Sequence, residues 1–172
     1  MPSAPIGVMS VEDNELVADV LARRLAHDDR FRWLGCVSDI DSLLTAVAAD
    51  PPDVVCMDVD MPGQDPFTMI RALADRSPGS RVLILSGHTQ PTLIEEAMEA
   101  GAWGYLSKAD QPAHIVEGIC RVARGELAFS EQTLIEYKRI LEQRPAPDEP
   151  GEDRNGRHSS WNLFRFLRGE RD

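Results

Sequence analysis

Glu12 and Asp13, Asp58, Ser86 and Lys108 each follow or close a short apolar run in this chain. Together they make a chemically coherent set. Three carboxylates, Glu12, Asp13 and Asp58, are hard oxygen donors of the kind Mg²⁺ prefers, and Mg²⁺ commonly keeps waters and phosphate oxygens as its other ligands. A carboxylate such as Asp58 can act as a nucleophile toward phosphorus and form an acyl phosphate. The Lys108 ammonium and a divalent cation would offset charge on the phosphoryl oxygens, and the Ser86 hydroxyl would donate a hydrogen bond to one of them. Each residue alone has an ordinary explanation: an acidic cap, a serine ending a strand, a solvated lysine. Their joint placement after successive apolar runs is what singles them out.

The elements that must hold these residues are readable. Val54-Val55-Cys56-Met57 runs straight into Asp58, and a Pro62-Gly63 turn comes next. Short apolar runs bounded by turn signals read as buried strands of a parallel sheet. Residues 6–11, 31–37, 54–58, 81–86 and 103–107 fit that description. Between them lie helical patterns. Leu16, Val17, Val20, Leu21 and Leu25 recur at helical spacing, and Leu43, Leu44 and Val47 follow Asp41, the predicted N-cap. Asp65-Pro66 is a helix start with Phe67, Ile70 and Leu73 facing inward. Residues 91–100 form a helix closed by Gly101, and residues 112–124 a helix carrying Ile115, Ile119 and Val122. This alternation predicts an α/β fold, a doubly wound parallel sheet of five strands with helices on both faces. Ligands of such sheets sit outside the carboxyl ends of the strands, where the polar set stands.

Composition sets bounds. A chain of 172 residues predicts one domain with an appendage. The net charge of −11 argues against a non-specific nucleic-acid binder or a basic membrane-surface protein. Cys36, Cys56 and Cys120 show no C-x-x-C spacing and read as buried free thiols. No basic and apolar leader is visible, and no apolar run approaches the ~20 residues that span a bilayer. The expectation is a cytoplasmic protein without a transmembrane segment. Residues 130–143 read as a further helix, with Leu134, Ile135, Tyr137, Ile140 and Leu141 available for packing. The predicted organisation is a domain over 1–128, a C-terminal extension helix within 129–144, a flexible Pro- and Gly-rich linker over 145–160, and a short apolar and basic tail over 161–172. In that tail Trp161, Leu163, Phe164, Phe166 and Leu167 alternate with Arg165 and Arg168. It could dock on the protein itself or another subunit, present a partner-recognition helix, or lie on a membrane; the uneven apolar stripe ranks the membrane last.

Over roughly residues 5 to 125 the chain resembles the receiver domain of two-component response regulators. The acidic pair matches Glu12 and Asp13, and the phospho-accepting aspartate matches Asp58 in Met57-Asp58-Val59-Asp60-Met61-Pro62-Gly63. The switch Ser/Thr matches Ser86, the switch aromatic Tyr105, and the lysine Lys108. The resemblance implies a flavodoxin-like receiver fold with strand order 2-1-3-4-5. It implies Mg²⁺ held by Glu12, Asp13, Asp58 and the backbone carbonyl of Asp60. It also implies a switch in which phosphoryl on Asp58 draws in the Ser86 hydroxyl and Tyr105 turns inward. The partners implied are a histidine kinase or phosphotransfer protein as donor, a downstream protein, and a second copy in a homodimer formed on phosphorylation. The chemistry would be self-phosphorylation and autodephosphorylation rather than metabolic catalysis.

Two positions depart from the pattern. Ala109 follows Lys108 where many receivers have proline, and a trans peptide is expected because a cis bond there costs ~3 kcal/mol. Pro66 replaces the glycine usual after Met-Pro-x-x-Asp. The segment Gly101-Ala102-Trp103-Gly104-Tyr105-Leu106-Ser107-Lys108, with Gly125 and Ser130 after it, resembles receivers that precede a helix-turn-helix domain. The residues after Arg144 lack the periodicity of such a domain, so direct DNA binding is not expected of this chain. His88, two residues after Ser86, is either a solvated loop histidine or, with Asp60, a control on phosphoryl lifetime. His27, His114 and His158 show no ligand spacing.

Two other readings compete. Asp58-Val59-Asp60 resembles the D-x-D of haloacid-dehalogenase-type phosphatases and phosphotransferases, with Asp60 as general acid–base and Ser86 and Lys108 as later motifs. That family carries its acidic pair after the lysine, whereas Glu12 and Asp13 come before. A receiver-like interaction module that works without phosphorylation is the other.

Overall fold

Val54–Met57 is buried at every position because it forms a central strand with helices on both sides. The structure, a computed structural model, describes residues 4–144; the predicted linker and tail lie outside the described residues. The strands are β1 (Ile6–Val11), β2 (Phe31–Val37), β3 (Val54–Met57), β4 (Arg81–Ser86), β5 (Gly104–Ser107) and β6 (Ala128–Phe129). The helices are α1 (Glu15–Ala26), α2 (Leu43–Ala49), α3 (Pro66–Arg76), α4 (Pro91–Ala100), α5 (Pro112–Ala123) and α6 (Glu131–Glu142). All strands pair in parallel in the order β2-β1-β3-β4-β5-β6. The flavodoxin-like α/β architecture and its order are as the sequence predicts, with one strand more.

The period-two alternation of strand side chains divides the core into two layers. Met9, Val11, Val55, Met57, Val82 and Ile84 pack with Leu43, Ile70, Leu73 and Ile94 of α2, α3 and α4. Val8, Val54, Cys56, Leu83 and Leu85 pack with Leu21, Leu25, Val116 and Ile119 of α1 and α5. The α1 stripe is narrower than its spacing predicts: Leu21 and Leu25 are buried, whereas Leu16 and Val20 stand 77% and 68% exposed.

Local chemistry starts and stops the helices. The Asn14 side chain caps α1 by accepting from the Leu16 and Val17 amides. Asp65 accepts from the Thr68 amide at 2.7 Å with Pro66 in the first turn, the arrangement predicted from Asp65-Pro66. Gly101 ends α4 in the left-handed conformation, φ 107°. The start of α2 differs. Ser42, not Asp41, stands at its N-cap, because the Asp39 carboxylate takes the Ser42 amide at 2.8 Å and the Ser42 hydroxyl as well.

The sixth strand corrects the five-stranded prediction, and its two residues carry no periodicity to read. It forms because Gly104 has no side chain. A Cβ there would overlap the Ala128 carbonyl oxygen, so only glycine lets Ala128 pair beside β5. Helix α6 then returns over the sheet, with the Tyr137 ring stacked on Phe129 at 5.5 Å between centroids. Cys56 and Cys120 are buried as predicted; Cys36 is exposed. Among the described residues no helix is long and apolar enough to cross a membrane.

Candidate functional site

The parallel register brings the polar strand ends together. Val11 of β1 pairs with Met57 of β3, so Glu12 and Asp58 leave the sheet side by side, and the Asp58 amide donates to the Val11 carbonyl at 3.1 Å. Ser86 pairs with Ser107, and the Lys108 amide donates to the Ser86 carbonyl at 2.9 Å. Four strands thus deliver their terminal residues to one edge.

At that edge Lys108 Nζ lies 2.5 Å from Asp58 Oδ2 and 2.5 Å from Glu12 Oε2. Glu12 and Asp58 are buried, 7% and 6% exposed. Burial works against the charged ammonium, but the hydrogen bonds to Asp58 and Glu12 outweigh it and hold the Lys108 pKa above its ordinary value. Lys108 is therefore a cation at neutral pH. The second Asp58 oxygen, Oδ1, accepts from the Asp60 amide at 3.2 Å, and Glu12 Oε1 accepts from the Asn14 amide at 3.0 Å. Asp13 and Asp60 are exposed, and the Asp60 carboxylate faces His88 Nε2 at 3.5 Å. Among the described residues no group of three or more His, Cys, Asp or Glu side chains is arranged to hold a metal ion.

Ser86 and Tyr105 are both fully buried. The Ser86 hydroxyl oxygen accepts from the His88 amide at 3.1 Å, and the Tyr105 hydroxyl donates to the His88 carbonyl at 2.5 Å. One loop residue thus links serine and tyrosine. Burial pushes the Tyr105 phenol up to about 12; a hydrogen bond with Ser86 opposes that rise and the Asp58 charge adds to it.

Residues of α6 and its start, to which the sequence reading gives no part in the site, bond the segment on either side of Lys108. The Ser107 amide donates to Ser130 Oγ at 2.7 Å, and the Ser130 hydroxyl donates to the Asp110 carboxylate. Thr133 Oγ1 donates to the Tyr105 carbonyl at 2.7 Å. Sequence offers little to find them by, because a serine before a helix reads as a cap. All described peptides are trans, that between Lys108 and Ala109 included. Beside the site a cleft of about 330 Å³ between α1 and α5 is lined by Leu16, Val20, Leu85, Lys108 and Ile115.

Comparison with known proteins gives the family and the fold. Residues 8–119 match the family model described as response regulator receiver domain. The chain is 34% identical over 146 residues to the transcriptional activator protein ExaE of Pseudomonas putida, covering 85% of this chain and 66% of that one. It therefore spans just under two thirds of that relative. The structure superposes on the signal receiver domain of the response regulator NarL from Mycobacterium tuberculosis with TM-score 0.69 and 27% identity, covering 72% of this chain and 100% of that one. A LuxR-family two-component response regulator from Aurantimonas has TM-score 0.75 at 24% identity, over 81% of this chain and 99% of its own, a likeness of fold. The match gives no support to a haloacid-dehalogenase phosphatase. With the motif residues gathered at one sheet edge and the family model covering most of the folded chain, this protein belongs to the receiver-domain family of response regulators.

Proposed function

We propose that the chain is a phosphoacceptor signalling module in which Asp58 takes a phosphoryl group. The observation that carries this reading is the buried Asp58 carboxylate, held against Lys108 and beside Glu12 at the carboxyl edge of the sheet. An Asp58 oxygen attacks the donor phosphorus, an O–P bond forms, and the bond from phosphorus to the donor breaks. Lys108 then exchanges its contact with Asp58 Oδ2 for a phosphoryl oxygen, and the Ser86 hydroxyl donates to another.

The donor chemistry fits Mg²⁺. Glu12 and Asp58 converge on one ammonium, Asp13 adjoins Glu12, and the Asp60 backbone lies against the Asp58 carboxylate. Glu12, Asp13, Asp58 and the Asp60 carbonyl would hold the cation, which when bound would neutralise charge on the transferring group.

Ser86 would exchange its bond to the His88 amide for the phosphoryl group, and the space it vacates favours the inward Tyr105, which here is buried and bonded to the His88 carbonyl. The switch is a shift in population toward this inward position of Tyr105 and away from an outward one, driven by contacts made with the phosphoryl group. A histidine kinase or phosphotransfer protein supplies the phosphoryl group, approaching the α1–α5 cleft where exposed Leu16 and Val20 flank Lys108. Output passes through a downstream protein or a second copy rather than by direct DNA contact, in keeping with the acidic chain. The setting is cytoplasmic, and the activity is self-phosphorylation with autodephosphorylation. Incubation with acetyl phosphate and, separately, p-nitrophenyl phosphate tests the class. Stoichiometric labelling without sustained turnover of the monoester supports a phosphoacceptor; steady turnover overturns it.

A further inference from the structure

We propose that Ser130, at the start of α6, is a positioning residue for Lys108. The proposal deepens the phosphoacceptor reading and rests on it. Lys108 sits in the turn from β5 to α5 and is followed by Ala109, which imposes no backbone restriction of its own. What fixes the turn is a set of short-range bonds: the Asp110 amide to the Ser107 carbonyl at 3.0 Å, and the Ala109 amide to Ser107 Oγ at 3.1 Å. Both flanks of that turn end on one atom. Ser130 Oγ accepts the Ser107 amide at 2.7 Å and donates its proton to the Asp110 carboxylate. The residue before Lys108 and the residue two after it are thus gripped by a single hydroxyl that is itself buried, 6% exposed.

A serine at a helix N-cap ordinarily turns its oxygen to its own helix, a contact worth about 1 kcal/mol. Ser130 stands at the N-cap of α6 and makes no such bond. Its hydroxyl is committed to the Lys108 turn instead, and a local preference given up beside a chemical site marks a functional constraint. The rest of α6 reinforces the grip. The Ser130 amide and Thr133 Oγ1 both donate to the Tyr105 carbonyl, and at the far end Arg144 pairs with Glu99 of α4 at 2.7 Å and with Glu95. The placement of Lys108 against Asp58 and Glu12 therefore depends on a helix outside the region that the family model matches.

The test uses the full chain as wild type, Ser130→Ala and Ser130→Thr, with acetyl phosphate and Mg²⁺. Ser130→Ala is expected to slow phosphorylation of Asp58 roughly ten-fold, the scale of one lost hydrogen bond to a charged partner. Ser130→Thr, which keeps the hydroxyl, is expected to recover most of the rate, and the thermal midpoints of the two variants should lie close together. Ser130→Ala labelled at the wild-type rate, or both variants slowed alike, overturns the proposal and leaves the Asp58 reading standing. If wild type takes no phosphoryl group, the Asp58 reading fails and NMR decides the Ser130 claim. In Ser130→Ala, faster exchange of the Ser107 amide and a displaced Lys108 Cε signal support it; an unchanged Lys108 signal overturns it.

Discussion

Lys108 Nζ lies 2.5 Å from Asp58 Oδ2, and the same ammonium lies equally close to Glu12 Oε2. One cation therefore serves two buried carboxylates. Removing it as Lys108→Met leaves like charges facing each other in a poorly solvated place. We expect a loss of about 2–3 kcal/mol in urea unfolding, less than for a fully buried pair because the Lys108 side chain is 22% exposed. Adding Asp58→Asn to Lys108→Met should recover much of that loss. Millimolar Mg²⁺ should stabilise Lys108→Met more than wild type, since a cation can take over the neutralising role. Additive losses in the double variant would show that the pair is not coupled.

Alkaline pH should weaken the fold in a defined window. The Lys108 pKa is raised above its ordinary value of 10.5, and Tyr105 is raised from 10.0 to about 12. Both groups hold their protons more tightly in the folded chain. Their contributions are complete below the unfolded values and are lost as pH rises through the folded ones. Stability should therefore be insensitive to these groups near neutrality and fall between about pH 10 and 12, by about 2 kcal/mol for Tyr105. Urea midpoints across that range check this, and Tyr105→Phe should flatten the decline.

Thiol reactivity should divide the cysteines. Cys36 is exposed, Cys56 and Cys120 are buried, and burial pushes the Cys56 thiol up to about 12. A thiolate is the reactive form. Native protein should consume about one equivalent of an aromatic disulfide reagent quickly, and Cys36→Ser should abolish that fast phase. Fast reaction persisting in Cys36→Ser would place a second thiol at the surface.

The sixth strand predicts an intolerant glycine. Gly104→Ala forces its methyl against the Ala128 backbone, which cannot give as a flexible side chain would. Overpacking of this kind costs about 1–3 kcal/mol. Urea unfolding should show that loss, with amide exchange at Ala128 and Phe129 accelerating first.

The fold was legible where apolar runs and turn chemistry agree. Val54–Met57 reads as a central strand because every residue is apolar, and Asp65-Pro66 marks α3 through groups that act within one turn. Ala128–Phe129 was not legible, since two residues show no period and the determinant, Gly104, lies far away in sequence. Leu16 and Val20 fit a helical stripe yet face outward, because spacing does not say how wide a face the sheet covers. At the site the residue types could be read one by one from strand ends. That Lys108 bridges Glu12 and Asp58 follows from the register of parallel strands, which no single stretch encodes. Ser130 was hidden for the opposite reason: its local pattern points to a cap, and its hydroxyl is used elsewhere.

The proposed function stands or falls with Asp58 as the acceptor of the phosphoryl group. The decisive measurement is intact-mass spectrometry of the full chain after incubation with acetyl phosphate and Mg²⁺, with Asp58→Asn alongside. Wild type should gain one phosphoryl group, dependent on Mg²⁺ and lost with hydroxylamine, and Asp58→Asn none. An unlabelled wild type, or equal labelling of the variant, would contradict it.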